Sequence, residues 1–257
     1  MLQYEQANLG RDKRPTEQRI ISGAGAELVL LATGRDNPTE NRYPQRVIDS
    51  IATVFSGEAG EVRQIRQFFV EAINTAHFEI IATEQGATPG VDLLMVLIQH
   101  GEISWAGVGN NGLYLMRGET IGGHNRENSS TGRPPAPSQR GIGDHSKIPC
   151  IDFGGPLRLS CGDKILLCSE NLYGLLPIKE LEQFLAPPQP LQKRITAINT
   201  RAKQQRKTRR NDMTLVALEI TEIDSPPPPD SHATLSAVGA MTQHHQPHLM
   251  FQTRWPA

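Results

Sequence analysis

Cysteine is scarce in this chain of 257 residues: Cys150, Cys161 and Cys168 are an odd set with no CxxC spacing. Neither a disulfide framework nor a zinc ribbon can be built from them, so they are read as reduced, buried thiols. Aromatic residues make up only 5%, which means that any core must be aliphatic. Long apolar runs are missing as well. The longest, Leu93 to Ile98, is far short of the roughly 20 residues that span a bilayer, so no membrane partner is expected. Met1 to Arg14 mix polar and charged groups without an apolar stretch, unlike a secretory signal, and the expected compartment is the cytoplasm. Charge of one sign is absent too. With 26 basic and 27 acidic side chains the formal net charge is -1, which leaves no global field to draw in nucleic acid.

What is present suffices for a folded domain. Glu27 to Ala32 is an apolar run bounded by Gly25 and Gly34, as in a buried strand. Helical spacing follows, with Val47, Ile48, Ile51, Val54 and Phe55 behind Pro44, then Val62, Ile65, Phe69, Ile73 and Ala76. Asp92 to Gln99, Ile103 to Val108 and Leu113 to Met116 read as strands, separated by His100-Gly101 and by Gly109 to Gly112 as in antiparallel hairpins. Strand patterns resume at Leu157 to Leu159 and Lys164 to Cys168. Helices with Ile178, Leu181, Leu185 and with Leu191, Ile195, Ile198, Ala202 come next, before a closing strand from Met213 to Ile220. Two strand clusters, each with a helix pair, predict an α+β layered domain with antiparallel sheets. Residues 1–10 are set apart as an N-terminal extension and 11–221 as the domain. Within it, 123–146 is rich in Gly, Pro, Ser and charge and is expected to be a mobile loop, while 222–257 reads as a disordered Pro/His-rich tail. His244, His245 and His248 fall in that tail and lack the fixed frame of a metal site.

Gly107-Val108-Gly109-Asn110-Asn111-Gly112 fits GxGxxG, but the alternating Leu113 to Met116 that follows is a strand pattern, so a glycine-rich hairpin is the better reading. Four other segments go together. They are Leu28-Val29-Leu30-Leu31-Ala32-Thr33-Gly34; Gly86-Ala87-Thr88 followed by Trp105 to Leu115; Gly162 to Leu176 (GDKILLCSENLYGLL); and Asn211 to Leu218 (NDMTLVAL). In this order, over about Arg11 to Ile220, they resemble LFVVADGMGGH, GTT with VGDSRxYL, GDxLLLCSDGLxGxL and DNITVVVV of the metal-dependent Ser/Thr protein phosphatases of the PP2C (PPM) family. The resemblance implies a four-layer αββα sandwich, two antiparallel sheets flanked by helix pairs. Active members hold two Mg²⁺ or Mn²⁺ ions between the sheets through aspartates and hydrolyse phosphoserine or phosphothreonine.

The positions that the resemblance assigns to metal have changed. Thr33, before Gly34, stands at the first aspartate, Asn211 at the last, and Gln18 at the acid of RxxNED, while Glu170 replaces the aspartate of SDG. Hard dications need anionic oxygens to offset their dehydration, so no metal and no catalytic residue are expected. Asp36 and Asp212, with Glu40 and Asp92, are the candidate substitute ligands. Arg14 and Arg35 are candidates for receiving a phosphate. Arg201 to Arg210 holds six basic residues in ten, of which Arg206, Lys207, Arg209 and Arg210 form a candidate docking patch. The expected function is that of a pseudophosphatase, a binding or regulatory domain for a Ser/Thr kinase or phosphoprotein. The alternative is a divergent, weakly active phosphatase using Mg²⁺ or Mn²⁺.

Overall fold

A strand that is apolar at every position, as Leu28 to Ala32 is, must be covered on both faces. In the computed structural model it lies inside a sandwich. The structure describes residues 3–9, 16–23, 25–35, 42–58, 62–83, 90–123, 141–144, 148–169, 172, 176–205 and 214–223. The chain divides into a unit of residues 1–226 and one of 227–257, and all described residues belong to the first.

The element order is β1 (Gln3–Leu9), β2 (Thr16–Ser22), β3 (Ala26–Gly34), α1 (Tyr43–Gly57), α2 (Ile65–Thr83), β4 (Val91–Gln99), β5 (Glu102–Val108), β6 (Gly112–Arg117), β7 (Thr120–Gly123), β8 (Asp152–Arg158), β9 (Lys164–Cys168), α3 (Ile178–Leu185), α4 (Leu191–Gln205) and β10 (Leu215–Glu222). Two five-stranded sheets result, ordered β1-β10-β9-β6-β7 and β2-β3-β4-β5-β8. Among the described residues, every pairing between these strands is antiparallel.

Period-two alternation assigns each face. Leu28, Leu30 and Ala32 of β3 join Leu93, Met95 and Leu97 of β4 against α1 and α2. Leu166, Cys168, Leu215 and Ala217 on the other sheet pack against Leu181 and Leu185 of α3 and Ile195 and Ile198 of α4. The remaining faces meet each other: Val29, Leu31, Leu94 and Val96 are buried with Ile165, Leu167, Val216 and Leu218. Three apolar layers thus separate helix pair, sheet, sheet and helix pair. This is the predicted four-layer arrangement.

Several points differ from the sequence reading, and of the three cysteines expected to be buried only Cys168 is, Cys150 and Cys161 lying exposed outside the strands. Gln3–Leu9 forms β1, paired with β10 from Tyr4↔Ile220 to Leu9↔Leu215, so most of residues 1–10 belong to a sheet. The polar sequence QYEQANL hides this, because backbone pairing along an edge needs little apolar content. Gly109 to Gly112 does not close a hairpin. β5 and β6 lie in different sheets, so this segment carries the chain across the sandwich. β8 starts at Asp152 rather than Leu157; its Gly154, Gly155 and Pro156 suit an edge strand, where a missing donor is harmless. Most of 123–146, and the tail beyond Ile223, lie outside the described residues.

Candidate functional site

At one end of the sandwich the apolar layer between the sheets turns polar. The β3 row Val29, Leu31 continues to Thr33, which is buried and lies between Thr16 of β2 and Asp92 of β4. Gln18, opposite Leu31, shares the face. On the facing sheet, Ile165 and Leu167 lead to Ser169, and Leu218 and Val216 lead to Thr214. Ser169 and Thr214 lock the two strand ends: the Ser169 N–H donates to the Thr214 carbonyl and the Thr214 N–H to Ser169 Oγ, both at 3.0 Å. Asn111, buried where the chain crosses between sheets, donates through Nδ2 to the carbonyls of Leu31 at 3.2 Å and Asp92 at 3.1 Å. It staples the start of β6 to β3 and β4.

The charge at this end is an ion pair. Arg35 Nε donates to Asp92 Oδ1 at 2.5 Å, with the Asp92 side chain 7% exposed and that of Arg35 21%. The Arg35 N–H also donates to the Gly90 carbonyl at 2.9 Å, which fixes where the side chain starts. Gly109, at φ +87°, lies directly beneath the pair. A Cβ there would fall 1.9 Å from Asp92 Oδ1 and 2.8 Å from Arg35 Nη2. The absence of a side chain at Gly109 is therefore what gives the pair its room. Asp152 of edge strand β8 sits opposite Gly107, in the β5 row of Ile103 and Trp105 that faces between the sheets.

Four buried polar atoms gather at this end with no hydrogen-bond partner among the described residues: Gln18 Oε1, Thr33 Oγ1, Arg35 Nη2 and Thr214 Oγ1. Buried polar groups are nearly always paired, and exceptions collect at functional positions. The site therefore centres on the strand ends. A separate cavity of about 280 Å³, lined by Arg46, Asp49, Ser50, Thr53, Glu79 and Ile80, lies between α1 and α2 on the helical side of the sheet.

Of the residues singled out in the sequence, Thr33, Gly34 and Arg35 are brought together with Gln18 and Asp92. Arg35, a candidate for receiving a phosphate, donates through Nε to Asp92, because the two extend from neighbouring strand ends onto one face. Arg14, Asp36, Glu40, Glu170, Asn211, Asp212 and the patch Arg206, Lys207, Arg209, Arg210 lie outside the described residues. Sequence reasoning missed Asn111, Asp152 and the part played by Gly109. The GxGxxG match marked the right place under the wrong heading.

The described side chains do not fit a pair of dications. Thr33 and Gln18 present neutral oxygens, and the carboxylate of Asp92 already faces a guanidinium. Among the described residues, no group of three or more His, Cys, Asp or Glu side chains is placed to hold a metal ion.

No family model matches the sequence, and no curated protein does either. Solved structures do. The S. agalactiae serine/threonine phosphatase aligns at TM-score 0.70 and 19% identity, covering 86% of this chain and 100% of that one. The fold is that of the PP2C-type Ser/Thr phosphatases. Stp1 from Staphylococcus aureus aligns at TM-score 0.69 and 15% identity, over 86% of this chain and 96% of its own. The catalytic domain of PstP, solved in complex with two manganese ions, aligns at 0.65 and 18%, over 86% and 99%. Identities this low carry the PP2C architecture and leave the chemistry to be argued from the residues.

Proposed function

We propose that the chain is a pseudophosphatase, a metal-free PP2C-fold domain that binds or regulates a Ser/Thr kinase or phosphoprotein in the cytoplasm. One observation supports this reading above others: beside Thr33, at the strand ends, the carboxylate of Asp92 is paired with the guanidinium of Arg35. A dication about 4 Å from that guanidinium would meet a repulsion of about 8 kcal/mol at an effective dielectric constant of about 20. A neutral hydroxyl at Thr33 and a carboxamide at Gln18 do little to offset it. For partners the sequence offers the basic segment with Arg206, Lys207, Arg209 and Arg210 as a candidate docking patch and Arg14 as a candidate for receiving a phosphate, residue types that favour an acidic or phosphorylated protein.

The competing reading is a divergent Ser/Thr phosphatase using Mg²⁺ or Mn²⁺, with Glu170 and Asp212 as ligands. Two carboxylates on the inter-sheet face, Asp92 and Asp152, and the manganese ions of the PstP structure favour it. Calorimetric titration with Mn²⁺ and Mg²⁺, alongside p-nitrophenyl phosphate turnover, separates the two. The pseudophosphatase should show neither saturable uptake of two ions nor turnover. Tight binding of two ions, with turnover abolished by Glu170→Ala, would establish the enzyme instead.

A further inference from the structure

We infer that Arg35 is a built-in cation that takes over the charge-balancing task of a divalent ion at the strand ends, so that the buried carboxylate of Asp92 is held without metal. The inference rests on the metal-free reading above and gives that reading a residue.

Asp92 is buried on the inter-sheet face directly across from Thr33. A carboxylate in that position needs a cation, because desolvation of an unpaired charge costs several kcal/mol. The cation supplied comes from the chain itself. Arg35 follows Thr33 by two residues, the spacing that returns a side chain to the same face of an extended chain, and its Nε reaches Asp92 Oδ1. The surroundings are shaped to receive it. A Cβ on Gly90 would stand 3.1 Å from Arg35 Cδ, and one on Gly109 would strike both Asp92 and Arg35 Nη2. Thr33 fits this arrangement: it is neutral beside the pair, and an acidic side chain in its place would add a further negative charge directly across from Asp92. Thr33 and Arg35 therefore act as a matched set. Reversing both, in T33D/R35A, should turn the site towards metal, because the introduced carboxylate and that of Asp92 are left facing each other across paired strands.

Thermal unfolding of the full chain tests this, using wild type, R35A, R35A/D92N and T33D/R35A, each in EDTA and in excess MnCl₂. The wild-type Tm should be the same in both. R35A should melt lower than wild type, and R35A/D92N should recover part of that loss, because the carboxylate that lacks its cation is gone. T33D/R35A should gain about 5–10 °C when Mn²⁺ exceeds its Kd by about a hundredfold. If R35A/D92N melts no higher than R35A while wild type ignores Mn²⁺, Arg35 does not balance Asp92 and the inference falls while the metal-free reading stands. A folded T33D/R35A that ignores Mn²⁺ has the same consequence. A wild-type Tm that rises with Mn²⁺, accompanied by phosphatase turnover, overturns the metal-free reading and this inference with it.

Discussion

Gly109→Ala is the sharpest probe of the strand-end geometry, because a single methyl group is placed against both members of the ion pair. Two costs are expected. The first is conformational: an L-residue in the left-handed region, here at φ +87°, costs roughly 1–2 kcal/mol. The second is steric. With Cβ 1.9 Å from Asp92 Oδ1, 2.6 Å from its Cγ and 2.8 Å from Arg35 Nη2, the variant cannot keep the pair in place. Breaking a buried pair costs about 3–5 kcal/mol, and the partial exposure of Arg35 puts this one near about 3 kcal/mol. Gly162 is the matched control, since its φ is also +87° and a Cβ there meets nothing within 4 Å. Urea unfolding should therefore show Gly109→Ala less stable than Gly162→Ala by about 3 kcal/mol, a Tm difference of about 6–12 °C. In a D92A background the gap should shrink markedly, as the Asp92 atoms struck are gone and only Arg35 Nη2, the far end of a flexible side chain, remains close. If the two alanine variants agree within about 1 kcal/mol in the wild-type background, the close approach at Gly109 is not what orders the site.

Thr33→Val replaces a buried hydroxyl that has no partner among the described residues with a methyl of the same shape, and should be neutral or stabilising by about 0–1 kcal/mol in urea unfolding. At the other helix pair, the Glu180 carboxylate accepts from Arg201 Nε at 2.9 Å, and this hydrogen bond holds its pKa below the ordinary value. The folded pKa lies below the unfolded one, so the stabilisation is present at neutral pH and disappears as pH falls through the folded pKa. In Arg201→Ala, an NMR titration should find the Glu180 carboxyl back near the usual carboxylate range, with a flatter stability profile across that interval. His77→Leu removes the buried Nδ1 that accepts the Gly143 N–H at 3.1 Å, and should cost about 1–3 kcal/mol. Faster amide hydrogen exchange at Gly143 and Ile142 would report the loosened segment.

The layers were legible because they are built from apolar periodicity. Leu28 to Ala32 and Leu93 to Ile98 could only be buried strands, and Ile195 with Ile198 could only be one face of a helix. β1 and β2 were not legible, since QYEQANL and TEQRIIS carry no clean alternation and are held by pairing to β10 and β3. The crossing at Gly109 to Gly112 was misread for a related reason. Turn residues mark a change of direction, but not whether the chain returns to the same sheet. At the site, Thr33 was found by its place in a motif. The contact between Arg35 and Asp92 spans 57 positions, and such pairs follow from strand register rather than local pattern.

That register also shows why the fold depends little on which polar residues stand at the strand ends. Val29, Leu31, Leu94, Val96, Leu167, Val216 and Leu218 fill the layer between the sheets, each worth about 1.5–3 kcal/mol when fully buried. Together they exceed by severalfold anything that one ion pair at the rim supplies. Stability therefore constrains the rim residues less than those of the layer, and the strand ends can carry neutral oxygens in place of anionic ones provided each buried charge keeps a partner. Asp92 is the residue on which that condition falls, since it is buried among strands that continue into the apolar layer. An arginine two positions beyond Thr33 meets the condition with no ion from solution, and a glycine at position 109 is the structural requirement that comes with it.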